Sequence, residues 1–144
     1  MDNYEKYEQD CKEIRAVNEK LLNEFEVSLK SAGLSAKTIK NHSRNIKFYV
    51  NEFLLYEEAI EAKEGVDEVD EFLGYWFIKK AMWASQSSIR SYATSLKKFY
   101  GFLHEKGLIE KDDLDELKEV IKEGMPEWLS ALDRYDDLSV DDIW

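Results

Sequence analysis

The sequence predicts an all-α fold, a compact bundle of four to six helices, on three observations. One proline and six glycines in 144 residues leave few chain breakers. Apolar residues recur every three to four positions over long stretches, as one face of a helix requires. A chain that is 44% hydrophobic and 35% charged has the apolar residues for a core and the charge to solvate its surface. The length suits one domain, set at residues 1–134, with the acidic stretch 135–144 read as a loose tail.

The first helix is expected over residues 4–32, continuous or broken near Val17, with Leu21, Leu22, Phe25 and Leu29 on one face. Gly33 is a natural stop. Ser35 can cap a second helix over 36–57, its hydroxyl accepting from an unsatisfied N–H of the first turn. At about 100° per residue, Ile39, Ile46, Tyr49, Val50 and Phe53 share one side of that helix. Lys37, Lys40, Arg44 and Lys47 form a separate stripe.

An acidic connector over 57–70 follows, and Asp67 is read as the N-cap of a third helix over 68–83. Val69, Phe72, Leu73, Trp76 and Phe77 make that helix apolar around much of its circumference, which predicts a central position. Trp76 and Trp83 are read as core. Ser85 caps a fourth helix reaching residue 106, with Gly107 placed for a left-handed C-terminal residue. Its core stripe is Ile89, Tyr92, Leu96, Phe99 or Tyr100, and Leu103; Gln86, Arg90, Thr94, Lys97 and Lys98 sit on a polar, basic face. A fifth helix is expected over 112–123, closed by Gly124, and a short sixth over 126–133, with Pro126 at its first position. Trp128 and Trp144 have no assigned place; an exposed one would mark a protein contact.

Several classes of function find no support in the residues. Cys11 is alone, so one chain cannot form a disulfide framework or a cysteine metal site, which suits a reducing cytoplasm. Asp2, Glu5, Glu8 and Asp10 near the start do not form a secretory signal, and the most apolar run, 72–84, is too short to span a bilayer. His42 and His104 have no second ligand at helical spacing, so no metal site is expected. The pairs and triplets Asp67, Asp70 and Asp112, Asp113, Asp115 lack the glycine and glutamate of a calcium loop and read as favourable charges at helix starts. None of the eight tyrosines sits among the converging cations that attack on a phosphodiester requires. No catalytic residue, cofactor, membrane contact or small-molecule substrate is expected.

The charge is unevenly placed. The net charge is -11, yet the windows 27–51 and 72–104 hold ten of the 20 basic residues and none of the 31 acidic ones. The remainder carries -21. Such segregation predicts an electropositive surface on an acidic body.

Two stretches resemble a known family. The first carries Gly33, Leu34, Ser35, Thr38 and Ile39 ahead of a helix closing on aromatics. The second carries Ser85, Ser87, Ser88 and Ile89, then Phe99, Tyr100, Phe102, Leu103, Lys106, Gly107, Leu108 and Ile109. In that order and separation, over residues 20–110, they resemble the core-binding, SAM-like domain of phage integrases and other tyrosine recombinases. The resemblance implies a helical bundle lying across double-stranded DNA, with the second and fourth helices on the DNA near their starts and along their polar faces. It does not extend to catalysis. The family's active domain uses a His-x-x-Arg element, and His104 is followed by Glu105, Lys106 and Gly107.

The expected DNA-contacting residues are therefore Lys37, Thr38, Lys40, Asn41, Arg44 and Lys47 on the second helix. On the fourth they are Gln86, Ser87, Ser88, Arg90, Lys97 and Lys98. The competing expectation is a stand-alone helical interaction module derived from an integrase, regulating or partnering a recombinase.

Overall fold

The computed structural model describes the backbone of residues 2–143 and the side chains of residues 2–136. The fold is all-helical, with no strand among the described residues. Helix α1 spans Asn3–Ser31 without a break; the Asp2 carboxylate caps it, accepting from the Glu5 N–H at 2.8 Å. Gly33, at φ 87°, ends the connection in the left-handed region that glycine enters without steric cost. Ser35 then caps α2, Ala36–Phe48, accepting from the Thr38 N–H.

Helix α2 does not run to residue 57. Over Tyr49–Phe53 it widens into a π turn, with the Leu54 N–H bonded to the Tyr49 carbonyl at 3.0 Å, and then stops. The stop has a packing cause. Leu54 and Leu55 are 1% and 3% exposed and enter different clusters, Leu54 the main core and Leu55 a small one with Cys11 and Ile14. One straight helix could not deliver adjacent residues to both.

The acidic connector contains a 3₁₀ turn, Ala62–Asp67, and Asp67 lies inside it rather than capping the next helix. Two fully buried tyrosines pin this turn. The Tyr49 hydroxyl donates to the Gly65 carbonyl at 2.6 Å, and the Tyr100 hydroxyl to the Ala62 carbonyl at 2.7 Å. The third predicted helix is a composite of α3 (Val69–Glu71), a second π turn (Phe72–Trp76) and α4 (Phe77–Lys80). Its cap position is Glu68, with no side-chain cap bond, and it ends at extended Ala81, short of residue 83.

The two π turns face each other through aromatic rings. Phe72 lies 4.9 Å from both Tyr49 and Phe53, while Tyr49–Phe53 and Phe72–Trp76 stack within their own turns. Widening a turn makes room for bulky rings four residues apart. The expected central position of this segment is observed: Val69, Phe72, Leu73, Phe77 and Ile78 are all buried.

Helix α5, Gln86–Glu105, opens on a reciprocal capping box between Ser85 and Ser88, and Gly107 follows it at φ 77°. Both Phe99 and Tyr100 are buried with the rest of its apolar stripe.

The last expected break is absent. Helix α6 runs Lys111–Ile143, straight through Gly124 and Pro126. Gly124 is not a terminator: the Trp128 indole occupies the space above it and above Gly74, donates to Asp70 Oδ1 at 2.8 Å, and is only 2% exposed. Pro126 is exposed, so the carbonyl that its missing N–H leaves free lies where water reaches it. Packing of Trp128 and Leu132 into the core outweighs both local stop signals. Residues 137–144, most of the predicted tail, and Trp144 lie outside the described side chains. Among the described residues, no helix is long and apolar enough to cross a membrane.

Candidate nucleic-acid interface

Helices α2 and α5, the second and fourth of the sequence reading, lie side by side and run antiparallel. A polar seam joins them. His42 Nδ1 sits 2.7 Å from Ser95 Oγ, and the Asn45 amide donates to Ser91 Oγ and Ser95 Oγ at 3.0 Å each. Ser95 and His42 are 0% and 8% exposed, so the seam is a satisfied network rather than a wet gap. Burial, and secondarily the charge of Lys98, holds the His42 imidazole below its ordinary pKa. His42 is therefore neutral near pH 7, and Lys98 stands close beside α2.

At the other end of the seam, Arg44, Asn45, Phe48, Trp83, Ser88, Ser91 and Tyr92 enclose a pocket of about 470 Å³. Burial pushes the Tyr92 phenol up to about 12, partly offset by a Trp83 hydrogen bond and by the charge of Arg44. Arg44 is steadied by Asn41, whose Oδ1 accepts from Nη2 at 2.6 Å. Trp83, expected in the core, is 54% exposed at the mouth, edge-on to Phe48 at 5.3 Å. The chain leaves α4 at Ala81 and must turn outward to begin α5, which leaves Met82 fully exposed and Trp83 half out of the core. Trp76 is half-buried.

The twelve predicted contact residues are not all equivalent. Lys37, Lys40, Arg44 and Lys47 are exposed along one stripe of α2. Thr38 is exposed, but its Oγ1 accepts from the Ser35 hydroxyl at 3.0 Å. Ser88 is half-buried and committed to the capping box, donating to backbone carbonyls and accepting from the Ser85 N–H. Gln86 and Ser87 are exposed in the first turn of α5, where N–H groups have no intrahelical acceptor. On α5, at about 100° per residue, Lys98 falls about 20° from Ser91, whereas Arg90 and Lys97 fall about 100° and 120° away. On α2, by the same measure, Lys37, Arg44, Lys40 and Lys47 lie about 80°, 100°, 140° and 160° from Asn45, so Lys98 is the cation nearest the seam and the basic stripes of both helices turn outward from it.

Among the described residues, none of these seven cations pairs with a carboxylate; the ion pairs present are Lys6–Asp10, Lys63–Glu61 and Lys106–Glu24. One carboxylate does stand near. Glu26 lines the groove between α1 and α2 with Lys30, Lys40, Arg44 and Lys47, accepting from the Ser43 hydroxyl at 2.6 Å. Of the seam residues, His42 was weighed from sequence only as a metal ligand, and Asn45, Ser91 and Ser95 were not singled out. Their signal was present as polar residues at helical spacing between the apolar and basic stripes.

No group of three or more His, Cys, Asp or Glu side chains able to hold a metal occurs among the described residues. Compared with protein-family models, with curated proteins and with solved structures, the chain matches none of them.

Proposed function

We propose that this chain is a non-catalytic, cytoplasmic, double-stranded-DNA-binding domain of the site-specific recombinase (integrase) type, gripping DNA through α2 and α5. The observation that carries the reading is the cationic strip itself. Lys37, Lys40, Arg44 and Lys47 from α2 and Lys98 from α5 project from one pair of helices, none neutralised by a carboxylate among the described residues. Because the helices are antiparallel, the start of α2 lies at one end of the strip and the start of α5 at the other. Each start offers N–H groups and a favourable dipole to phosphate.

Thirteen residues of α2 give the strip a length of about 20 Å, enough to bridge two backbones across a major groove about 12 Å wide. Lys37, Lys40, Arg44, Lys47 and Lys98 neutralise phosphates, with Arg90 and Lys97 adding flanking charge. Thr38, Asn41, Gln86, Ser87 and Ser88 stand at the helix starts, with Ser88 acting through the cap it completes.

Gel-shift titration against random duplex over a salt series tests the reading. Engagement of about four to six phosphates gives a slope of log affinity against log salt of roughly -4 to -5. Lys40→Glu with Arg44→Glu abolishes binding while helicity is retained, and Arg90→Glu with Lys97→Glu weakens it less. A slope near zero, or unchanged binding by the Lys40/Arg44 variant, overturns the assignment.

A further inference from the structure

A second surface lies on another face of α1, where the helix meets the connector segment 59–64. Ile14, Val17, Leu21 and Leu108 contribute to the floor of a groove of about 520 Å³, and Asp10, Glu13, Glu61 and Glu64 are its acids. Val17 and Leu108, 58% and 40% exposed, give the groove an apolar surface open to solvent. Lys63 is the cation lining the groove. Asp10 is shared with Lys6 and Glu61 with Lys63, but among the described residues Glu13 and Glu64 have no cationic partner.

The depression continues past Lys63, Glu64 and Leu108 into a second one of about 620 Å³, where Glu58, Asp67, Glu68 and Asp113 add more carboxylates. The wall between them is not a loose loop, because the Tyr49 and Tyr100 hydroxyls hold its carbonyls from below.

An independent observation concerns the floor. Asn18 lines the groove and is 1% exposed; its amide nitrogen donates to the Val50 carbonyl and to Asn51 Oδ1, while its own Oδ1 has no hydrogen-bond partner. A buried acceptor without a donor is uncommon in a folded protein, and the group that satisfies it must bring an N–H or O–H donor. The acidic rim and the apolar floor select cationic groups on aliphatic stems, and the unmet acceptor offers such a ligand a further place for a donor.

We propose that this groove docks a lysine- and arginine-rich peptide segment of a partner protein, an apolar side chain seated on Val17 and Leu108 and its cationic neighbours on Glu13, Glu61 and Glu64. The site is separate from the cationic strip and does not depend on the DNA reading. It repels nucleic acid.

Fluorescence anisotropy with the full chain and a short labelled peptide, lysines and arginines around two leucines, tests this at low salt. Binding is expected to weaken roughly tenfold in Glu13→Gln/Glu61→Gln/Glu64→Gln, since each exposed ion pair contributes modestly. It also weakens when serines replace the peptide's leucines or when Leu108 becomes serine. It is unchanged in Lys40→Glu/Arg44→Glu, which separates this site from the DNA strip. Glu116→Gln/Glu119→Gln/Glu123→Gln on α6 controls for net charge. Absence of binding, or an equal loss in the α6 control, overturns the proposal. Light scattering that shows a dimer broken by the peptide overturns the choice of partner, assigning the groove to a second copy.

Discussion

Gly101 and Gly124 both lie inside long helices, and alanine at the two positions should move stability in opposite directions. Alanine is favoured over glycine in a helix interior by about 0.8–1.0 kcal/mol. At Gly101 an added Cβ meets nothing within 4 Å, so the full gain is available. At Gly124 the same atom arrives 2.5 Å from Trp128 Cε2 and 3.0 Å from Nε1. The indole cannot retreat. Its other contact is Gly74, where a Cβ would stand 2.8 Å from Cδ1, and its N–H is tied to Asp70. Overfilling a packed site of this kind costs about 1–3 kcal/mol, which exceeds the propensity gain and leaves a net loss of about 1 kcal/mol. For a chain of this size the expected shifts in Tm are about +4 °C for Gly101→Ala and about -4 °C for Gly124→Ala, followed by circular dichroism. In a Trp128→Leu background, Gly124→Ala should become neutral or stabilising. If Gly124→Ala alone raised Tm as Gly101→Ala does, the seating of Trp128 and the account of why α6 passes through Gly124 would both be wrong.

Two further predictions concern buried polar groups. Tyr100→Phe and Tyr49→Phe each remove a donor to a carbonyl of the 3₁₀ turn and should cost about 1–2 kcal/mol in urea unfolding; no change in either would mean the hydroxyls do not hold that turn. His42, neutral in the fold and depressed by burial and by Lys98, takes up its proton more readily in the unfolded chain. Its contribution is therefore complete above about pH 6.5, the ordinary imidazole value, and is lost as pH falls through the depressed folded value. The stability advantage of the native chain over His42→Gln should shrink from about pH 7.5 to about pH 5; a constant difference would contradict a neutral, buried His42.

The features legible from sequence were those written within one helical turn. Ser35 and Ser85 cap where a hydroxyl precedes a periodic stretch, Gly33 and Gly107 end helices where a positive φ is needed, and the stripe from Ile89 to Leu103 is buried as its spacing requires. The basic residues of α2 were likewise readable as an exposed stripe, because their angular position follows from the helix alone.

Other features depended on residues far apart in the chain. Gly124 and Pro126 carry local stop signals, yet the slot that overrides them is built from Gly74 and Asp70, some fifty residues earlier. The end of α2 is set by two adjacent leucines claimed by different clusters, and the exposure of Trp83 by where α4 stops. Periodicity alone determined the inward faces of the second half of α1, of α2 and of α5, since 100° per residue acts over a few positions. Only the tertiary structure decided that α2 and α5 pair antiparallel through His42, Asn45, Ser91 and Ser95, and that Lys98 stands beside His42. Choosing a neighbour is a matter of packing between distant segments, and no local period encodes it.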